Sequence, residues 1–309
     1  MKILIIGGHG MLGQEFMRQL RGQDVVGWTR EDIDITSEQA VMNKINALQP
    51  SVILNCAAYN NVDKAEDEPQ VAMAINGEAV GYLARAAAEC GATFVHFSTD
   101  YVFSGTRTDG YHEEDLPGPI SVYGQSKALG EQKLLTHLLT YSLTPWYLIR
   151  TSKLFGPPGT GETSKKSFPE MMIKIAREKG KVEAVDAEAG SPTYVKDLAQ
   201  ATLTLLGLSP LRVRGGEPPP DGGAKEGLRQ PHPSGIYHLT NSGSCTWYEY
   251  AKAALEYAGL SNVEVVPVGP DHFPRKARRP ARVVLFNTKL PPLRPWQEAL
   301  KEFLTKNMA

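Results

Sequence analysis

Short unbroken apolar runs alternate along the first half of the chain with longer stretches whose apolar residues recur every three or four positions. "KILII" (2–6), "VVGW" (25–28), "SVILNCA" (51–57), "TFVHFS" (93–98) and "WYLIRTS" (146–152) have the length and β-branched content of buried strands. The stretches between them, 11–22, 37–48, 69–91 and 122–140, are in large part rich in Ala, Leu and Glu and read as helices. Strands that are apolar on both sides and separated by helices predict a parallel sheet covered on both faces, an α/β doubly wound fold.

The pattern is less regular beyond residue 155. "GPPGTGETSKK" (156–166) reads as a loop and 168–179 as a helix. "YVKDLAQATLTLLG" (194–207) has an apolar stripe suited to packing back on the sheet. Residues 209–234 are dense in Pro and Gly and aperiodic, so a long mobile loop is expected there. "GIYHLT" then reads as a strand and "TWYEYAKAALEYAG" as a helix ended by Gly259. "RPWQEALKEFLTKN" closes the chain as an amphipathic helix with a proline in its first turn. No internal repeat is found. These boundaries predict one domain over 1–155, with 195–235 packing back on it. A smaller C-terminal α/β subdomain is expected from 156–194 and 236–309.

Composition narrows the field. A chain of 309 residues with 41% hydrophobic positions can bury a large core. Its 33 basic and 34 acidic residues are well mixed and sum to −1, which makes no electrostatic case for nucleic acid or an anionic membrane. Cys56, Cys90 and Cys245 show neither CxxC nor Cys/His metal spacing, so reduced thiols, no metal and a cytoplasmic location are expected. The four-residue apolar run before "GGHG" is too short for a signal peptide, and none is expected.

"GGHGMLG" places Gly7, Gly10 and Gly13 just after the first strand, at the mouth of the first helix. A side chain at such a turn would block a diphosphate, and the exposed amides of the helix start attract its charge, so a Rossmann-like dinucleotide site is expected. The strand "VVGWTR" ends in Arg30, a cation suited to a ribose 2′-phosphate, although Glu31 and Asp32 follow. NADP(H) is therefore expected ahead of NAD(H).

The strand "TFVHFSTDYVF" ends in Ser98, Thr99, Asp100 and Tyr101, at the end of a parallel sheet where ligands bind. "SVYGQSK" then opens a helix with Tyr123 and Lys127 four residues apart, on one face. The same spacing recurs at Tyr248 and Lys252, but without a glycine turn or polar strand end before it, and that copy reads as helix packing with an exposed lysine.

With these features the chain resembles the extended short-chain dehydrogenase/reductases, and within them the dTDP-4-dehydrorhamnose reductase family. The matching stretches are "GGHGMLG", "NCAAYNNVDKAE", "STDYVFSG", "PISVYGQSKALGE", "AGSPTYVKDLA", "GIYHLT" and "ARRPARVVLFNTKL". The resemblance implies NAD(P)H-dependent reduction of the 4-keto group of a nucleotide sugar, giving dTDP-L-rhamnose. It implies Tyr123 as general acid and Lys127 as holder of the nicotinamide ribose that lowers the Tyr123 pKa. Thr99 would hydrogen-bond the reacting carbonyl. Gly10, Met11 and Leu12 would meet the diphosphate, Asp34 and Ile35 the adenine, and Ala57, Ala58 and Tyr59 the ribose–diphosphate side. Asp100, Lys153 and Arg279 are expected at the sugar nucleotide, and a homodimer is an expected state.

Four positions depart from the family pattern on what is expected to be the substrate side. Lys153 replaces a usual Trp, Glu188 a Gln, and Val283 a Ser, and Asn60–Asn61 stand for Thr-Ala. "RKARRPAR" (275–282) reads either as a clamp on the diphosphate or as a solvated loop. Two other readings stay open: a nucleotide-sugar epimerase or dehydratase that retains NAD, and a non-catalytic subunit resembling the regulatory β subunit of methionine adenosyltransferase.

Overall fold

The computed structural model describes residues 1–140, 144–161, 164, 166–208 and 231–307. Most of the expected 209–234 loop lies outside the described residues. The longer strands are β1 (Lys2–Ile6), β2 (Asp24–Trp28), β3 (Val52–Asn55), β4 (Thr93–Thr99), β5 (Trp146–Thr151), β6 (Lys181–Val185), β7 (Gly235–His238) and β8 (Glu264–Val268). The longer helices are α1 (Met11–Gln19), α2 (Glu38–Leu48), α3 (Ala79–Glu89), α4 (Val122–Thr140), α5 (Phe168–Lys179), α6 (Val195–Leu205), α7 (Trp247–Tyr257) and α8 (Trp296–Asn307).

Six strands form one parallel sheet in the order β7-β5-β4-β3-β1-β2. The chain runs from β1 outward to β2 and returns on the other side to β3, so the winding reverses beside β1. A crevice opens at such a reversal, beyond the carboxyl ends of the strands. Alternate residues of each strand feed opposite cores, as the pleat requires. Ile3, Ile5, Leu54 and Val95 pack with Phe16 and Leu198 on one face. Leu4, Ile6, Ile53 and Phe94 pack with Val41, Leu83 and Leu134 on the other. The doubly wound expectation therefore holds.

Helix α6 packs back against α1, while α5, α7 and the parallel pair β6/β8 pack together, and α8 lies against α7. One hydrophobic cluster runs through both groups, from Ile3 to Tyr250 and Phe303. Two expectations are adjusted. The stretch 69–91 is not one regular helix, because a π-helical turn, Ala74–Glu78, separates Pro69–Met73 from α3. Asn76 lies within this turn, and its side chain bonds the backbone of Tyr59. Pro295 lies just before α8, at the end of the short strand Leu293–Pro295, rather than inside the helix.

Candidate active site

The glycine turn is built so that backbone meets backbone. Gly7 has φ +83°, and a Cβ there would lie 2.8 Å from the Ala57 nitrogen at the end of β3. A Cβ on Gly13 would overlap the Gly7 carbonyl oxygen, far inside van der Waals contact. Gly10 opens α1 with no side-chain cap, and no acidic residue stands in the first turn. The amides of Met11, Leu12 and Gly13 thus face the crevice with no competing anion, which suits a diphosphate. Gly7, Gly10, Met11, Leu12 and Gly13 lie together in this turn, with Ala57 packed against Gly7. Over the same turn, Thr160 and Gly161 donate their amides to the His9 carbonyl at 3.0 and 3.3 Å.

Arg30 follows β2 and is exposed. Asp34 is also exposed, and its carboxylate accepts from the Thr36 amide at 2.9 Å and from the Thr36 hydroxyl at 2.6 Å, so it shapes a turn. Ile35 is half-buried against the core of that face. The Tyr59 hydroxyl donates to Glu68 at 2.9 Å, and its backbone is gripped by Asn76.

Thr99, Tyr123 and Lys127 lie together at the carboxyl end of β4. Lys127 is 2% exposed; its Nζ donates to the Phe97 carbonyl at 2.6 Å and lies 3.5 Å from His96 Nε2. Burial pulls its pKa down to about 8. Burial also pushes Tyr123 up to about 12, against the effect of a hydrogen bond with Thr99. Burial thus acts on the phenol in the direction opposite to the lowering expected from Lys127. The Thr99 hydroxyl donates to Asp100 Oδ1 at 2.9 Å and accepts the Tyr101 amide at 3.2 Å. A hydroxyl has one proton, so Thr99 meets Tyr123 as an acceptor and orients the phenol.

Asp100 is 3% exposed, and its other oxygen accepts the Ser152 hydroxyl at 2.5 Å. The pairing of Thr99 with Thr151 across β4 and β5 brings these side chains together. Burial raises the Asp100 pKa, opposed by the Ser152 and Thr99 hydrogen bonds. Both its oxygens accept a hydroxyl from within the protein. Lys153 has φ +43°, a conformation uncommon outside glycine. Its Nζ sits 3.7 Å from the centre of the Trp247 ring and donates to the Glu188 carbonyl at 3.2 Å. Burial lowers its pKa to about 8. Lys153, expected at the sugar nucleotide, is thus seated on Trp247 and the Glu188 carbonyl.

The basic stretch 275–282 is neither an open clamp nor simply solvated. Arg275 pairs with the buried Glu188 at 2.6 Å, Lys276 with Asp67 at 2.6 Å, and Arg279 with Asp63 at 2.8 Å. It forms a strap held by carboxylates from two sides of the crevice. Val283 is 3% exposed among Phe103 and Tyr111, so it packs in a core rather than facing a substrate. Asn60 and Asn61 are exposed, and Asn61 accepts the Lys64 amide. The second Tyr–Lys pair lies on α7, with Tyr248 half-buried and Lys252 exposed, as expected.

Several residues at the site were not anticipated. Asn76 Nδ2 donates to Ser126 Oγ at 3.0 Å, and Ser126 donates to the Tyr123 carbonyl at 2.8 Å. Asn55 faces His96 at 3.0 Å beneath Lys127. Asn76 stands in an Ala-rich helical stretch, where a polar residue on an apolar stripe was the one available signal.

The family model described as "RmlD substrate binding domain" matches residues 1–212 and 223–308. A dTDP-4-dehydrorhamnose reductase of Mycolicibacterium smegmatis is 35% identical, covering 97% of this chain and 84% of that protein. The chain belongs to the dTDP-4-dehydrorhamnose reductase family. The Bacillus subtilis spore coat polysaccharide biosynthesis protein SpsK is 37% identical over 98% of this chain and 96% of its own length. A dTDP-4-dehydrorhamnose reductase from Bacillus anthracis, solved in complex with NADP, superposes with a TM-score of 0.83 at 32% identity, covering 99% of this chain and all of that one.

Proposed function

We propose that this family member reduces the 4-keto group of dTDP-4-dehydro-L-rhamnose to dTDP-L-rhamnose with NADPH. The observation that carries the reading is the convergence of Tyr123, Lys127 and Thr99 at the end of β4, beside a glycine turn with no room for side chains. The names of the relatives support the substrate, and the NADP bound in the Bacillus anthracis reductase supports the cofactor.

The glycine turn and the open first turn of α1 fit the diphosphate, and Arg30 fits a 2′-phosphate. When bound, the nicotinamide supplies the hydride. Tyr123 gives its proton to the oxygen that gains charge at C4. Thr99, fixed by Asp100, orients that phenol. Lys127 holds its ammonium beneath the phenol helix, where it suits the hydroxyls of a ribose. Residues 1–155 would bind the dinucleotide, and 156–194 with 236–309 would receive the sugar. A cytoplasmic setting suits the three free cysteines, and homodimer formation is checked by light scattering. The name of SpsK, a spore coat polysaccharide biosynthesis protein, supports use of the product in an envelope polysaccharide.

The test is NADPH oxidation with dTDP-4-dehydro-L-rhamnose, run beside Tyr123→Phe. Loss of a positioned general acid is expected to lower kcat by at least about 100-fold. Equal rates for wild type and variant, or no ketone consumption by either, overturn the reading.

A further inference from the structure

Residues 59–68 follow β3 and touch both sides of the crevice. Glu66 Oε1 accepts the Val122 amide at 2.9 Å, the amide immediately before Tyr123. Val122 starts α4, so its N–H is one of the helix-start donors that lack an intrahelical acceptor, and a carboxylate there also meets the positive end of the helix. Asn76, which grips Tyr59, reaches the same first turn through Ser126. On the other side, Asp63 accepts the Ala277 amide at 3.1 Å and Arg279 Nη2 at 2.8 Å. Those residues belong to the strap whose Arg275 pairs with Glu188, and the Glu188 carbonyl holds Lys153. Asp67–Lys276 is exposed on both partners and contributes little on its own.

We infer that Glu66 is a positioning residue for Tyr123, and that residues 59–68 link the seating of the 275–282 strap to the placement of the phenol. A nucleotide sugar bound beneath the strap would thereby help to set its own proton donor. The link rests on the reductase reading for its purpose, but its geometry is independent of it.

Two measurements test the link. The first is amide hydrogen exchange at Val122 in the unliganded protein. Glu66→Ala is expected to speed that exchange at least about tenfold, the effect of losing a hydrogen bond to a charged group. Asp63→Asn, which has no contact with Val122, is expected to speed the same exchange. The second is turnover. Glu66→Ala should lower kcat about tenfold while KM for NADPH stays within about twofold, and Glu66→Gln, which keeps the acceptor oxygen, should restore most of it. If Glu66→Ala does not fold, Glu66→Asp, one methylene short of the amide, takes its place with the same expected direction. Wild-type exchange at Val122 in the Glu66 variant overturns the positioning role, and wild-type exchange there in Asp63→Asn overturns the link. A wild-type protein that reduces no ketone overturns the functional reading and leaves the exchange comparison to decide this one.

Discussion

Lys127 keeps an ammonium at 2% exposure, with the Phe97 carbonyl and the His96 ring as its near polar neighbours. Burial, with the neighbouring Lys127, drives His96 well below its ordinary value, so the imidazole is neutral and adds no repelling charge. Lowering Lys127 from 10.5 to about 8 means that its charged form costs about 3 kcal/mol in the fold at pH 7. The sign follows from proton counts. Below about pH 8 both folded and unfolded chains hold the proton, and the cost is constant. Between about 8 and 10.5 the folded chain has released it and the unfolded chain has not, so stability rises with pH in that window. Lys127→Met is therefore expected to raise the unfolding midpoint by several degrees at pH 7 and to abolish the rise above pH 8, while kcat falls at least about 100-fold. Calorimetry from pH 6 to 10 checks the first two outcomes. A midpoint lower than wild type at pH 7 would show that the Phe97 hydrogen bond outweighs the burial cost. For the active protein, kcat/KM should fall above about pH 8 as Lys127 loses its charge.

The β1–α1 unit shows how a helix start becomes a binding surface when the flanking turn has no side chains. Gly13→Ala would put a methyl group onto the Gly7 carbonyl, which is backbone and cannot swing away. NADPH affinity is expected to fall at least about tenfold by isothermal titration, with the unfolding midpoint lowered as well. This unit was legible in the chain because every part of it is local: an apolar run, four glycines and a helix within nineteen residues. The Tyr123–Lys127 spacing is local too, and the strand end at Thr99 separated it from the copy at Tyr248. The strap was not legible, because Arg279 finds Asp63 across 216 residues of chain, and no periodicity carries a pairing over that span. Asn76 was hidden for a similar reason. From within a π-helical turn its side chain bonds two backbone groups of Tyr59, far back along the chain, whereas propensity alone predicts an unbroken helix. Lys153 was legible as a residue but not as a conformation, since residue type does not announce a positive φ and its seat on Trp247 depends on a helix that begins 94 residues later.

Across the whole molecule, a buried ionic network ties the sheet to the elements that carry the site. Arg150 of β5 is 2% exposed and makes paired hydrogen bonds to Glu131 of α4, the helix that bears Tyr123 and Lys127. The same Glu131 accepts the Ser98 hydroxyl from β4. Arg150 Nη1 donates to the Glu113 carbonyl, and the Glu113 carboxylate in turn accepts the amides of His238 on β7 and of Thr288. The network thus holds α4, the edge strand and the segment after the strap in one arrangement around the end of β4. A buried pair of this kind contributes little net stability relative to apolar residues of the same size, but removing one partner leaves the other charged and dry. Arg150→Met is expected to destabilise the fold by about 3–5 kcal/mol, seen as a lower denaturant midpoint. Glu131→Met with Arg150→Met should recover much of that loss, because no charge is left stranded, while kcat stays depressed since α4 has lost its tie to β5. A double variant no more stable than the single one would mean that the network is held by its shape rather than by its charge balance.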